Sequence, residues 1–166
     1  MTILIIRFSS LGDVVLTASV VESIRQQYPD AKITFLTKKL YTPVFDADSR
    51  IDKVLGIHGD ETPPEIRDLL GTGVFDVIID LHANLRSFFV MSLLKSPKKL
   101  RIRKHAIARR IMIWSRNLYR RRFDTVGQYF SALSPIGITE RKLPVIIPDL
   151  SAAEDAKALL DDARGT

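Results

Sequence analysis

"IRFSSLGDVV", residues 6 to 15, is the stretch on which the fold reading turns. It ends the run "TILIIRF" (2–8), which is short, β-branched and almost continuously apolar, as a strand covered on both faces should be. Two serines, a glycine and an aspartate interrupt the run. From Val14 the chain is apolar again, but now at helical spacing: Val14, Leu16, Ala18, Val21 and Ile24 fall broadly on one face, and Pro29 stops the pattern. A buried strand, a polar turn and a helix over 13–28 open a crossover unit.

The same alternation continues outward. "KITFLT" (32–37), "DKVLGI" (52–57) and "FDVIIDL" (75–81) read as further strands, and "KLRIRK" (99–104) as a weaker fifth. Between and after them, helical segments are expected at 41–46, where it is short, at 61–70, which opens with the acidic and proline-rich "ETPPE", at 85–95 and near 125–133. Strands alternating with helices predict an α/β fold, a mostly parallel sheet with helices on both faces. Ligands of such sheets bind at the carboxyl ends of the strands, which places the loops 8–12, 37–39, 57–59 and 81–85 on one rim.

At 166 residues, 46% hydrophobic and 27% charged, the chain has the makings of one globular domain. It has no cysteine, which excludes disulfides and thiolate metal sites. "MTILIIRF" is too short for a signal-peptide core, and no run reaches the ~20 apolar residues of a membrane span. A cytoplasmic chain is expected, with any membrane contact at the surface. The basicity is concentrated: residues 95–122 hold twelve Lys and Arg and no acid, leaving 13 bases against 19 acids elsewhere. Such a segment repels itself, so a polyanionic partner is a fair inference, a solvated face being the blander one. Beyond "KLPVIIPDL" an alanine-rich run reads as a linker and a first helix, 149–166, leading toward a further domain.

Three groups of residues could carry chemistry. "RFSSLGD" is neither G-x-G-x-x-G nor G-x-x-x-x-G-K-[ST], so dinucleotide and P-loop readings lose support. Gly12 permits close backbone approach, and Ser9 and Ser10 offer hydroxyls at the rim. Asp13 stands at a helix start, where it either caps the helix or, held in the rim, takes a proton from a substrate hydroxyl; spacing leaves both open. "DLHANLRS" (80–87) places His82, Asn84 and Arg86 on the same rim, suited to a sugar or phosphate. In "RKHAIARRIMIWSRNLYRRRF" (103–123), Ile107, Ile111, Trp114 and Leu118 recur at helical spacing among cations. That pattern fits an interfacial anchor on an anionic membrane, or a stripe packed on the domain's own sheet.

The strand followed by "SSLGD" and the later "DLHANLRS" resemble the N-terminal half of the ADP-heptose:lipopolysaccharide heptosyltransferases, glycosyltransferase family nine, over about Ile3 to Pro148. The resemblance implies a Rossmann-like acceptor-binding domain over 1–148, one half of a GT-B enzyme, and a segment 149–166 leading to a C-terminal nucleotide-sugar domain. It implies Asp13 as general base for inverting transfer of heptose from ADP-heptose, with Ser9, Ser10 and Gly12 lining the reacting centre. His82, Asn84, Arg86, Arg103 and Lys104 are expected to contact substrate. The acceptor implied is a phosphorylated glycolipid of the cytoplasmic leaflet, which gives the basic segment a purpose at the inner-membrane surface. No metal and no cofactor are called for, since the ADP-sugar is a substrate, and the half alone is expected to be inactive. "HGDETPPEIRDLL" is acidic where lipid A core enzymes of this family often carry a basic insertion, and "FDTVGQYF" offers Asp124 and Gln128 where members commonly have a His and an Arg. The competing reading is a basic α/β module that binds nucleic acid or an anionic surface without catalysis, although the chain has no recognised nucleic-acid motif and few aromatics.

Overall fold

The computed structural model describes residues 1–71, 73–102 and 124–147. Its centre is a five-stranded sheet made of β1 (Thr2–Ile6), β2 (Lys32–Lys38), β3 (Lys53–Ile57), β4 (Val77–Asp80) and β5 (Lys98–Arg101). The spatial order is β3-β2-β1-β4-β5, and every pair is parallel. The expected Rossmann-like α/β architecture is therefore present.

The unbroken apolar run of β1 follows from burial on both sides. Ile3 and Ile5 enter one core with Val21, Ile24, Phe35 and Ile79, while Leu4 and Ile6 enter the other with Leu36, Ile66, Ile78 and Val90. Because strand side chains alternate, both sets must be apolar. The first core is covered by α1 (Leu11–Leu16), α2 (Ala18–Gln27) and, after the gap in description, α5 (Thr125–Leu133). The second is covered by α3 (Pro63–Leu69) and α4 (Leu85–Leu93).

The single helix expected over 13–28 is two. It starts earlier, at Leu11, with Ser10 as the N-cap, and breaks at Thr17. Thr17 Oγ1 donates back to the Val14 carbonyl, the local competition by which threonine interrupts a helix. The segment near 41–46 is a 3-10 helix over Lys39–Val44, packed so closely on β3 that a Cβ on Gly56 would lie 2.8 Å from Thr42 Cγ2 and 2.9 Å from Lys39 Cα. Arg103, Lys104, the rest of the basic run 103–123 and the 149–166 segment lie outside the described residues.

The chain runs β1, β2, β3 toward one edge and then returns to place β4 and β5 on the other side of β1. The loops leaving β1 and β4 therefore pass to opposite faces of the sheet, and the strand ends between them are the place where sheets of this kind bind ligands.

Candidate active site

These two loops contain "FSSLGD" and "LHANLRS". They are joined through Arg7, the first residue after β1. A charged side chain buried at the end of an apolar strand needs partners, and Arg7, with its side chain 7% exposed, has two. One terminal nitrogen donates to Asp13 Oδ2 and the other to the Leu81 carbonyl. The guanidinium also lies 5.8 Å from the ring centre of Tyr129 on α5. Burial pushes the Tyr129 phenol up to about 12, Arg7 working against the shift and Asp13 with it. That phenol donates to the Asp13 carbonyl at 3.4 Å.

Asp13 does not itself cap α1. It is the third helical residue, and its Oδ2 accepts from Ser10 N at 3.4 Å and Ser10 Oγ at 3.2 Å, a capping box closed from the far side. All these contacts fall on Oδ2. Among the described residues no donor reaches Oδ1, and the side chain is 32% exposed. The two readings of Asp13 are thus compatible, since one oxygen completes the local structure while the other receives no donor among the described residues.

Gly12 is exposed within the first turn of α1, and a Cβ there would meet nothing within 4 Å. The turn itself makes no demand for glycine. What it leaves is unobstructed approach to the backbone beside Asp13. Ser9 and Ser10, joined by a cis peptide, border the same space, with Ser10 exposed.

The second loop is organised by a residue the sequence reading did not single out. Asp80, at the end of β4, is fully buried and its Oδ1 accepts from the amides of His82, at 3.0 Å, and Ala83, at 2.8 Å. Oδ2 accepts from Ser87 Oγ at 2.8 Å, and Arg101 Nε stands 3.1 Å away as an ion-pair partner. Ala83 is held at φ 51, a conformation side chains with a Cβ seldom adopt, so this anchoring offsets local strain. The His82 ring lies against Phe8 at 5.1 Å between centroids, which ties the second loop to the first again.

Asn84 and Arg86 hold structure as well as rim positions. Asn84 caps α4, its Oδ1 accepting from Ser87 N at 2.7 Å. The fork of Arg86 is taken up by the β3–α3 loop, donating to the Gly59 carbonyl at 2.6 Å and the Glu61 carbonyl at 2.5 Å, with Glu61 Oε2 at 3.3 Å. Partial burial opposes the Glu61 charge, but the amides of Gly59 and His58, helped by Arg86, bring its carboxyl down to about 2. Asp124, one of the departures from the family pattern, caps α5 through Gly127 N at 2.7 Å and pairs with Arg141. Among the described residues no three His, Asp or Glu side chains come together as a metal site, and no helix is long and apolar enough to cross a membrane.

Solved structures that superpose on this chain include glycosyltransferases. A glycosyl transferase family 9 protein from Veillonella parvula superposes with a TM-score of 0.63 at 20% identity, over 88% of this chain and 45% of that one. The chain has the fold of those enzymes. Escherichia coli heptosyltransferase WaaC, solved with ADP-2-deoxy-2-fluoro heptose, gives 0.53 at 18% identity over 78% of this chain and 54% of that one. Escherichia coli ADP-heptose lps heptosyltransferase II gives 0.53 at 20% identity over 61% and 30%. The chain thus spans about half the length of these structures, or less. No family model and no curated protein matches the sequence.

Proposed function

We propose that this chain is the acceptor-side domain of an inverting glycosyltransferase of the heptosyltransferase type, with Asp13 as general base. The observation that carries the reading is the Asp13 carboxylate at the sheet's switch point, part-exposed, fixed through Oδ2 and with no donor to Oδ1 among the described residues. In the reaction, Oδ1 takes the proton of the acceptor hydroxyl as that oxygen attacks the anomeric carbon. The bond from that carbon to the diphosphate breaks on the opposite face, and the nucleoside diphosphate leaves with the electron pair. One base suffices because a diphosphate departs without a strong acid when its charge is stabilised. ADP-heptose as donor is supported by the likeness to structures solved with ADP-2-deoxy-2-fluoro heptose and with ADP; a phosphorylated glycolipid as acceptor is the part of the reading that rests on the sequence resemblance and the basic run 95–122.

Gly12 and Ser10 would border the acceptor, and His82, steadied by Phe8 and by Asp80, would complete the opposite wall. Arg103 and Lys104 remain candidates for its phosphates.

The test is Asp13→Asn in the full-length protein, assayed for sugar transfer and for acceptor binding. Asparagine keeps the shape and an acceptor for Arg7 but cannot take the proton, so turnover should fall about 10²–10⁴-fold with binding retained. Turnover at the parent rate would remove Asp13 from the chemistry.

A further inference from the structure

The helix that leaves the second loop has a face which the rim does not use. Ser87, Val90 and Met91 turn α4 inward. On its other side Leu85, Phe88, Phe89 and Leu93 are 76%, 42%, 53% and 43% exposed. Their spacing of three, four and eight residues makes one continuous stripe. A solitary exposed leucine is ordinary, but four large apolar residues on a nine-residue helix, two of them rings 5.8 Å apart, form a patch that calls for a partner.

Its surroundings define the chemistry of that partner. From Leu81 to Ile102 the chain has five bases and no acid. Arg101 stacks its guanidinium 5.3 Å from the Phe88 ring centre, and Lys95, Lys98 and Lys99 are exposed just past the helix and along the edge strand β5. On the other flank α3, which packs beside α4, carries exposed Glu65 and Asp68, so the cationic border of the stripe is the one along β5. An apolar stripe with such a border suits the boundary between acyl chains and anionic headgroups, where phenyl and leucyl side chains enter and lysines stay with the phosphates. Nucleic acid would satisfy the cations but leave Leu85 and Leu93 in water.

We infer that the Leu85–Phe88–Phe89–Leu93 face of α4 docks on an anionic phospholipid bilayer. The inference stands on this face alone, so an inactive Asp13 variant and a failure of docking are separate results.

The experiment is co-sedimentation of the full chain with phosphatidylglycerol vesicles and with phosphatidylcholine vesicles. Because residues 103–123 are themselves basic, the decision lies with two variants, F88S/F89S and K98E/K99E, each checked by thermal melting. Preferential binding to phosphatidylglycerol, weakened about tenfold or more in both variants at unchanged melting temperature, is the expected result. Should the serine variant fail to fold, the glutamate variant decides. Vesicle binding equal to the parent's in the folded variants would overturn the inference. So would a variant that alters only self-association, or one that loses duplex DNA binding in place of vesicle binding.

Discussion

Arg7 donates to the Asp13 carboxylate at Oδ2, so the proposed base is oriented by a guanidinium that is almost fully buried. The other terminal nitrogen holds Leu81, and the two rim loops are thereby referred to one rigid group. Arg7→Lys keeps the charge but loses the fork that serves both partners. The expected cost is about 1–3 kcal/mol, read from the denaturant midpoint. A midpoint equal to the parent's would show that the pair adds nothing to the fold.

The capping role of Asn84 separates stability from ligand contact. Asn84→Ala should destabilise the chain by about 1 kcal/mol, because Ser87 N loses its acceptor. Asn84→Asp retains that acceptor and should restore the melting temperature. If the aspartate variant is stable yet binds acceptor poorly, the amide NH₂ has a second role at the rim.

Glu61 makes the β3–α3 loop sensitive to acid. Its carboxyl is held at about 2 in the folded chain against an ordinary 4.5, so its stabilising contribution is fully present above 4.5 and is lost as pH falls through about 2. A carboxyl-carbon NMR titration should find this group ionised at pH 3. Glu61→Gln should flatten that part of the acid unfolding curve. A Glu61 signal that titrates near 4.5 would contradict the hydrogen bonding described for the loop.

Gly56 should tolerate no side chain. A methyl group there would meet the Lys39 backbone at 2.9 Å, and backbone cannot swing aside. Gly56→Ala is expected to lose about 1–3 kcal/mol by overpacking, measured by chemical denaturation. A neutral effect would mean that the 3-10 helix moves freely on β3.

The sheet was legible because its strands are buried on both faces, and "TILII" and "FDVIID" are apolar runs too short for most helices and rich in β-branched residues. Placing Asp13 and "DLHANLRS" on one rim followed from the same pattern, and the Arg7 bridge between them agrees with it. Arg7 itself was passed over, though a lone charge in "ILIIRF" was a usable signal, since a buried guanidinium must have partners. Asp80 was hidden for a different reason: an aspartate ending a strand reads equally as a ligand, a cap or a turn, and only the register of β4 against β5 brings Arg101 to it. The break at Thr17 was likewise invisible to hydrophobic spacing, because it arises from a hydroxyl that competes with the backbone.

Arg101 touches three things at once: the Asp80 carboxylate, the Asn84 carbonyl at 2.9 Å and the Phe88 ring. It is therefore a hinge pin between the outer skin of α4 and the turn that presents His82. Taking that guanidinium away would strip the buried Asp80 carboxylate of its cation and the Asn84 carbonyl of its donor in one step, so a change made at the Phe88 ring is felt at the turn before α4.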